Sequence, residues 1–370
     1  MKLALRELRR RPGRFVVATT ILTLISLLLM FLGGLLDGLV GSSTGALRAQ
    51  PVDAIVFSST SQDSLVRSRI DGEVRAEVED AAGDAEVGGL GSVQLGGRLD
   101  GRGPRDLVPV VLFGYELAPE GLPDEPPGEG EVYADDSLQA EGIEEGTTIR
   151  LGPERSEVTV IGFITDSRYS GQGTLWGSLD TWRQVLSANR PGQQVGDDVV
   201  QALVIRGGAA PEDLPATVDR ATDGATSTLT VDGAIEALPG VSQQRSVFNQ
   251  IIGVTVVIAI VVVALFFALL TVERTALYGV LKAVGAGSGT LFAGVVLQAV
   301  VVTLIASAIG VTAALVLDAV IPTGSLPFVA LPARLVSNVA FLVVAAVVGC
   351  AFSLRRVLRI DPASAIGTSQ

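Results

Sequence analysis

The 370-residue sequence has no histidine, one cysteine and two lysines. Without histidine there is no imidazole to activate a nucleophile, to carry protons near neutral pH or to ligate a metal. Cys350 lies inside an apolar run and has no partner for an internal disulfide, so a domain outside the membrane must fold without one. There is no GxxxxGK[ST] loop to cradle nucleotide phosphates, no CxxC and no metal-ligand cluster. An enzyme reading therefore has no residue constellation behind it. The net charge of −12 gives no reason to expect a nucleic-acid partner.

Apolar length is what the chain has in excess. The sequence is 48% apolar, with a mean hydropathy of +0.49. The excess sits in four blocks, residues 15–36, 251–272, 291–317 and 335–354. Each reaches the roughly 20 residues that cross a bilayer core as a helix, and none shows a polar stripe at helical spacing. In lipid each must be helical, because only a helix satisfies its own backbone groups. Membrane lipid is therefore an expected partner.

Charge is partitioned along the chain. Residues 1–14 carry Lys2, Arg6, Arg9, Arg10, Arg11 and Arg14 against Glu7. The tail carries Arg355, Arg356 and Arg359 against Asp361, whereas residues 41–250 hold 34 acids and 15 bases. The positive-inside rule places both termini and the 273–289 connection in the cytoplasm and residues 41–250 outside a plasma membrane. The acidity outside reads as solvated surface. Residues 42–46 are small enough for signal cleavage, but the first apolar run exceeds a signal core of roughly 7–15 residues, which favours an uncleaved anchor.

The expected order is a cytoplasmic amphipathic segment at 1–14, with Leu3, Leu5 and Leu8 opposite the arginines, and a first membrane helix at 15–40. An extracytoplasmic α+β domain follows at 41–250, with a strand-rich insertion at about 84–180. Three further helices occupy 251–272, 290–318 and 335–354, separated by the 273–289 segment and an external loop at 319–334. Residues 355–370 form a cytoplasmic tail. Within the external domain, residues 52–58, 87–95, 107–113, 131–134, 147–151, 157–165 and 199–206 read as strands. Residues 71–82, 209–223 and 231–238 read as helices. Asp135-Asp136 and Glu144-Glu145 read as solvated turn residues.

The segment 273–286, ERTALYGVLKAVGA, resembles the cytoplasmic E-R-x-x-E-I-G-V-L-K-A-L-G-A segment of MacB/FtsX-type ABC-transporter permeases, the type VII ABC superfamily. Leu277-Tyr278 replace the Glu-Ile of that pattern. The tail RIDPASAI (359–366) resembles the closing DPxxAL of that family, and residues 131–151 resemble a motif of its periplasmic core domain, with Thr147 where Asp is usual. MKLALREL, VVLQ around Gln298, the 326–328 LPF loop and residues 162–176 are similar to the HrtB-type heme-efflux branch.

The resemblance implies a permease subunit, working as a homodimer on two copies of a separate ABC ATPase that supplies the ATP hydrolysis. Segment 273–289 would be the coupling helix. Glu273, Arg274 and Lys282 are its ionic groups, and Leu277, Val280 and Leu281 share one face. An apolar-faced element of about 14 residues is longer than a plain helix connection of roughly 2–8. The stroke would pass to the external domain by mechanotransmission. Heme would be cargo rather than an intrinsic cofactor, with Met30 as a soft iron ligand, Gln244 and Arg245 meeting propionates or iron, Phe248 stacking on the ring, and Tyr169 as a phenolate candidate. Gln244 stands where a Glu of the heme branch aligns. The alternative is an FtsX-like non-transporting regulator that signals ATPase state to an external partner protein. The usually shorter external domain of that branch favours the efflux permease.

Overall fold

The computed structural model describes residues 12–103, 105–193, 195–196, 198–207, 213–273, 280, 284, 287–321 and 326–357. In chain order the elements are α1 (Pro12–Arg48), β1 (Ala54–Ser58), α2 (Gly72–Ala82), β2 (Glu86–Arg98), β3 (Val108–Tyr115) and β4 (Glu131–Asp135). They continue with β5 (Thr148–Leu151), β6 (Ser156–Ile164), β7 (Gly173–Ser178), α3 (Leu179–Asn189) and β8 (Ala202–Arg206). The rest are α4 (Leu214–Ala221), β9 (Thr226–Leu229), α5 (Val231–Ala237), α6 (Val241–Val272), α7 (Ser288–Val320) and α8 (Pro332–Val357). The chain divides into two compact units, Met1–Gly38 with Arg245–Gln370, and Leu39–Gln244.

Among the described residues, four helices are long and apolar enough to span a membrane: Val16–Arg48, Val241–Leu269, Ala293–Val320 and Pro332–Ala351. The helix α1 opens on Pro12, whose fixed φ and missing N–H suit a first turn. It runs past residue 40 because Ser42, Ser43 and Thr44 donate their hydroxyls back to Leu39 and Val40 carbonyls (3.0, 2.9 and 2.7 Å). The small-residue stretch weighed as a cleavage site is thus helical, and Ala46 and Leu47 in its last turns are buried. In the helical unit, contacts are made at small residues. A Cβ on Gly310 of α7 would lie 2.5 Å from Ser26 Oγ, and one on Gly349 of α8 would lie 2.8 Å from the Ile260 carbonyl of α6. Backbones that approach this closely need side chains no larger than these.

Among the described residues of Leu39–Gln244, nine strands join one sheet, in the order β3-β7-β4-β6-β5-β2-β8-β1-β9, and β3 also pairs with β2. That pairing closes β2, β3, β7, β4, β6 and β5 into a six-stranded barrel, from which β8, β1 and β9 extend. The barrel strands run from Glu86 to Ser178. Most pairs are antiparallel, but β3–β7 and β4–β6 are parallel. Period-2 alternation sends Val108, Val110 and Leu112 of β3 into one core cluster and Val111, Phe113 and Tyr115 into another, so β3 is buried on both faces.

The helix α3 begins at Ser178, whose hydroxyl oxygen accepts from the Thr181 N–H (3.3 Å). Its Trp182 lies fully buried against Gly91 of β2 and Gly114 of β3, where added Cβ atoms would stand 2.4 and 2.6 Å from the Trp182 side chain. Two strand glycines thus make the seat for one indole. At the far end of the sheet, Asp219 of α4 accepts from the Thr228 N–H (3.2 Å) and from the Thr226 and Thr228 hydroxyls (3.0 and 2.7 Å).

Candidate functional site

The residue proposed as a soft iron ligand, Met30, is 1% exposed on α1. Its sulfur accepts from Ser26 Oγ at 3.9 Å, and it packs with Ala314 of α7, Phe328, and Leu335 of α8. Around it, the loop between α7 and α8 is fixed onto α1. Phe328 stacks on Phe31 at 5.7 Å, and the Val329 N–H donates to the Gly34 carbonyl at 3.1 Å. A Cβ on Gly34 would meet the Phe328 ring at 2.4 Å, and one on Gly38 would meet the Pro327 carbonyl oxygen at 2.1 Å.

Beside this contact Arg334 of α8 grips Asp37 of α1 with two donors, Nε to Oδ2 at 2.9 Å and Nη2 to Oδ1 at 2.5 Å. Asn338, one turn on, donates to the Leu29 carbonyl at 3.3 Å. A charge pair among bilayer-length helices marks a candidate functional position. The sequence reading missed Arg334 and Asn338. The available signal was a lone acid near the end of the first apolar block and a lone base just before the fourth.

Gln244, Arg245 and Phe248 lie on successive turns of α6 and are half-buried. Tyr169 belongs to the other compact unit from Met30. It is 4% exposed, sits edge-on to Phe113 at 5.3 Å, and burial pushes its phenol up to about 12, so it stays protonated. In the 273–289 segment, Glu273 is exposed and its N–H donates to the Leu269 carbonyl (3.1 Å). Val280 is helical and exposed, and its carbonyl accepts from the Val284 N–H (3.1 Å). Arg274, Leu277, Leu281 and Lys282 lie outside the described residues, as do 1–11 and the tail from 358.

One expectation is corrected. Asp135 is not a solvated turn residue but 0% exposed. The chain leaves β4 there into a short 3-10 turn, and the carboxylate closes that turn. It accepts from the Ser137 N–H (3.1 Å) and hydroxyl, and from the Ser167 N–H (2.9 Å) and hydroxyl (2.8 Å). The neighbour Asp136 is exposed; partial burial, then the Asp135 and Asp166 carboxylates, push it up from the ordinary carboxylate range. Glu144 and Glu145 are exposed. Among the described residues no group of three or more Cys, Asp or Glu is placed to hold a metal ion.

Four bilayer-length helices, with a folded α+β domain between the first and second, define a multi-pass membrane protein with a large domain outside the bilayer. Residues 249–362 match the FtsX-like permease C-terminal family. A Staphylococcus haemolyticus protein that bears the name hemin transport system permease protein HrtB is 19% identical over 375 residues, covering 99% of each chain. An uncharacterized ABC transporter permease of Mycobacterium tuberculosis, Rv0072, is 27% identical over 379 residues and 98% of each chain. Among solved structures, the extracellular domain of the noncanonic ABC-type transporter YknZ from Gram-positive bacteria covers 48% of this chain and 100% of that one, with a TM-score of 0.32 and 11% identity. Residues 249–362 thus carry an FtsX-like permease C-terminal region, and along its length the chain is similar to ABC-transporter permeases; it is a multi-pass plasma-membrane protein with its sheet-rich domain extracellular.

Proposed function

We propose that this chain is the permease subunit of an efflux transporter, dimeric with a second copy of itself, and that a separate ATPase subunit drives it. The observation that carries this reading is the match over 249–362, which includes the 273–289 segment between α6 and α7. That segment is the proposed docking element. With both termini cytoplasmic, the ATPase stroke enters at 273–289 and passes along α6, so that the permease works by mechanotransmission.

The exported compound is an amphipathic molecule, with heme as the first candidate. End-to-end alignment with relatives named for hemin transport supports this choice. Met30 is the candidate sulfur ligand. Its cover by Phe328 and Leu335 means that the loop at 326–331 must lift before iron reaches it. Gln244, Arg245 and Phe248 are the candidate contacts on α6.

Two measurements test the reading. In the transporter reconstituted with its ATPase, Leu277→Asp, Val280→Asp or Leu281→Asp should leave ATP hydrolysis running while efflux is lost. Full efflux in these variants overturns the coupling role. Hemin should stimulate the ATPase and shift its own absorption band on binding, with the shift lost in Met30→Ala. Hydrolysis coupled to no efflux of any amphiphile would favour the non-transporting regulator.

A further inference from the structure

The extracellular unit carries a cleft of about 540 Å³ where three segments meet, in the size range of small-ligand sites. The segments are the C-terminal end of α1, the turn at 119–122 after β3, and the chain leaving β6. Ala49, Phe163 and Ile164 give it apolar walls, and Ile164 is buried. Arg48, Glu120 and Asp166 line it with charge of both signs. Backbone contacts fix the three segments. The Glu120 N–H donates to the Ala49 carbonyl at 2.6 Å, and the Leu122 N–H closes the turn on the Pro119 carbonyl at 3.2 Å. The Ala46 N–H donates to the Arg168 carbonyl at 3.1 Å, which draws the chain after β6 against α1. Gly45 admits that close approach: a Cβ on it would lie 2.4 Å from the Asp166 carbonyl oxygen. Asp166 itself sits at φ +54°, in the left-handed region that Asn and Asp tolerate best after glycine.

The charges of the cleft stay apart. Arg48 donates through Nη2 to the Gly41 carbonyl at 3.3 Å, which leaves the rest of its guanidinium open. Among the described residues no ion pair joins it to Glu120 or Asp166, and neither carboxylate is held by another cation. All three residues are exposed. Elsewhere on this unit arginines close onto nearby acids: Arg75 onto Glu116, Arg206 onto Glu86, and Arg150 onto Asp100 and Glu157. Negative charge is also in excess beside Asp166. Partial burial, and then the Asp135 and Asp166 carboxylates, push Asp136 up from the ordinary carboxylate range, so a cation at this point relieves repulsion. Charges of both signs that share a cleft without neutralising each other, beside an apolar wall, are the complement of a zwitterion with an apolar body.

We propose that this cleft binds a small zwitterion of the amino-acid class, with its ammonium on Glu120 and Asp166, its carboxylate on Arg48 and an apolar side chain against Phe163 and Ile164. A guanidinium presents a planar fork of donors that matches a carboxylate, and an ammonium gives three donors to acceptor-only carboxylates. A ligand with one charge leaves half of the lining unmet, so the cleft selects the zwitterion over either singly charged analogue. The proposal concerns a site in the extracellular unit and does not rest on the identity of the exported compound.

The test is titration calorimetry at neutral pH on the full chain in nanodiscs, with empty nanodiscs as background. The probes are free phenylalanine as the zwitterion, phenethylamine as the cation alone and 3-phenylpropionate as the anion alone. Phenylalanine should bind saturably, and each analogue about tenfold or more weakly, the scale of a lost hydrogen bond to a charged group. R48Q should bring phenylalanine down to the level of phenethylamine and leave phenethylamine unchanged. E120Q/D166N should bring phenylalanine down to the level of 3-phenylpropionate without weakening 3-phenylpropionate. This crossed pattern is one that a general loss of structure does not produce. E145Q removes an exposed acid outside the cleft and should bind as the unaltered chain does. Near-UV circular dichroism from Trp176 and Trp182 reports whether each variant is folded. Should the double variant not fold, E120Q alone, at an exposed turn, replaces it and should still lose phenylalanine affinity. Heat no greater than with empty nanodiscs, equal affinity for either analogue, or unchanged phenylalanine affinity in folded R48Q, E120Q/D166N or E120Q overturns the proposal.

Discussion

The extracellular unit buries its largest aromatic side chains in its core, whereas the helical unit brings many small residues into its helix contacts. Trp176, Trp182, Phe113 and Tyr115 are among the most deeply buried groups of the barrel region. In the helical unit the buried residues include Ala18, Ala259, Ala299, Ala306, Ala314, Ala345 and Ala346, while Leu24, Leu28, Val254, Ile258, Leu265 and Leu269 point outward. The difference follows the solvent. In water, each apolar area removed is worth roughly 25 cal/mol per Å², so large side chains go inside. In lipid, hydrocarbon outside is as apolar as hydrocarbon inside, and association rests on close backbone approach. Core substitutions should therefore hurt in opposite directions in the two units.

The largest effect is expected on the large side of that contrast. Trp182→Ala empties the seat between Gly91 and Gly114 and should cost the extracellular unit about 3–5 kcal/mol, read as a drop in the denaturation midpoint by near-UV circular dichroism. A loss below about 1 kcal/mol would break the comparison, since overpacking alone reaches about 1–3 kcal/mol. On the small side, Gly38→Val places a methine 2.1 Å from the Pro327 carbonyl, a backbone atom that cannot rotate away. It should cost about 3 kcal/mol in detergent unfolding, while Leu265→Ala on an outward face costs far less.

Polar burial gives a smaller effect. Asp135→Ala leaves the Ser137 and Ser167 donors unpaired and should cost about 2–3 kcal/mol of extracellular stability. Asp135→Asn keeps part of the acceptor and should fall between. The smallest effect is alkaline. Burial raises Tyr169 to about 12, above the ordinary tyrosine range near 10. The neutral phenol favours the fold, so its contribution is complete below about pH 10 and is lost as pH rises through about 12. Tyr169→Phe should leave stability at pH 7 little changed and flatten part of the alkaline loss, measured by urea midpoints across pH. A midpoint that falls equally steeply in both proteins would remove Tyr169 from the account.

The same contrast governs what was legible in the sequence. The four apolar blocks, the helix at 72–82 after Asp71, and strands such as 54–58 and 131–135 carry local periodicity and turn signals. β7 (GTLWGS) and β9 (TSTL) were missed because each is short and half polar; they are strands because β3, β4 and β1 supply partners. α3 was also missed, although Leu179, Trp182, Val185 and Leu186 keep helical spacing after a capping serine. Closure of the barrel depends on the β2–β3 and β3–β7 pairings, which no local pattern encodes. Asp135 was misread for a related reason: its partner Ser167 is distant in sequence and reaches it only through the fold. Arg334 and Asn338 were missed as a site because an ion pair to Asp37 across 297 positions has no spacing signature, only a lone acid and a lone base beside apolar blocks.

Barrel closure and the Asp219 carboxylate together bear on crowding at the cell surface. A sheet with two open margins invites a second chain to zip onto either one. Here one margin is consumed by the β2–β3 pairing, and the other is only the four residues of β9. On that remaining rim the Thr228 amide is already engaged by Asp219, and a negative charge stands where an incoming strand would place its carbonyls. The domain is thereby poorly suited to templating intermolecular β-assembly, a useful property for a protein held at high local density with its copies in one plane.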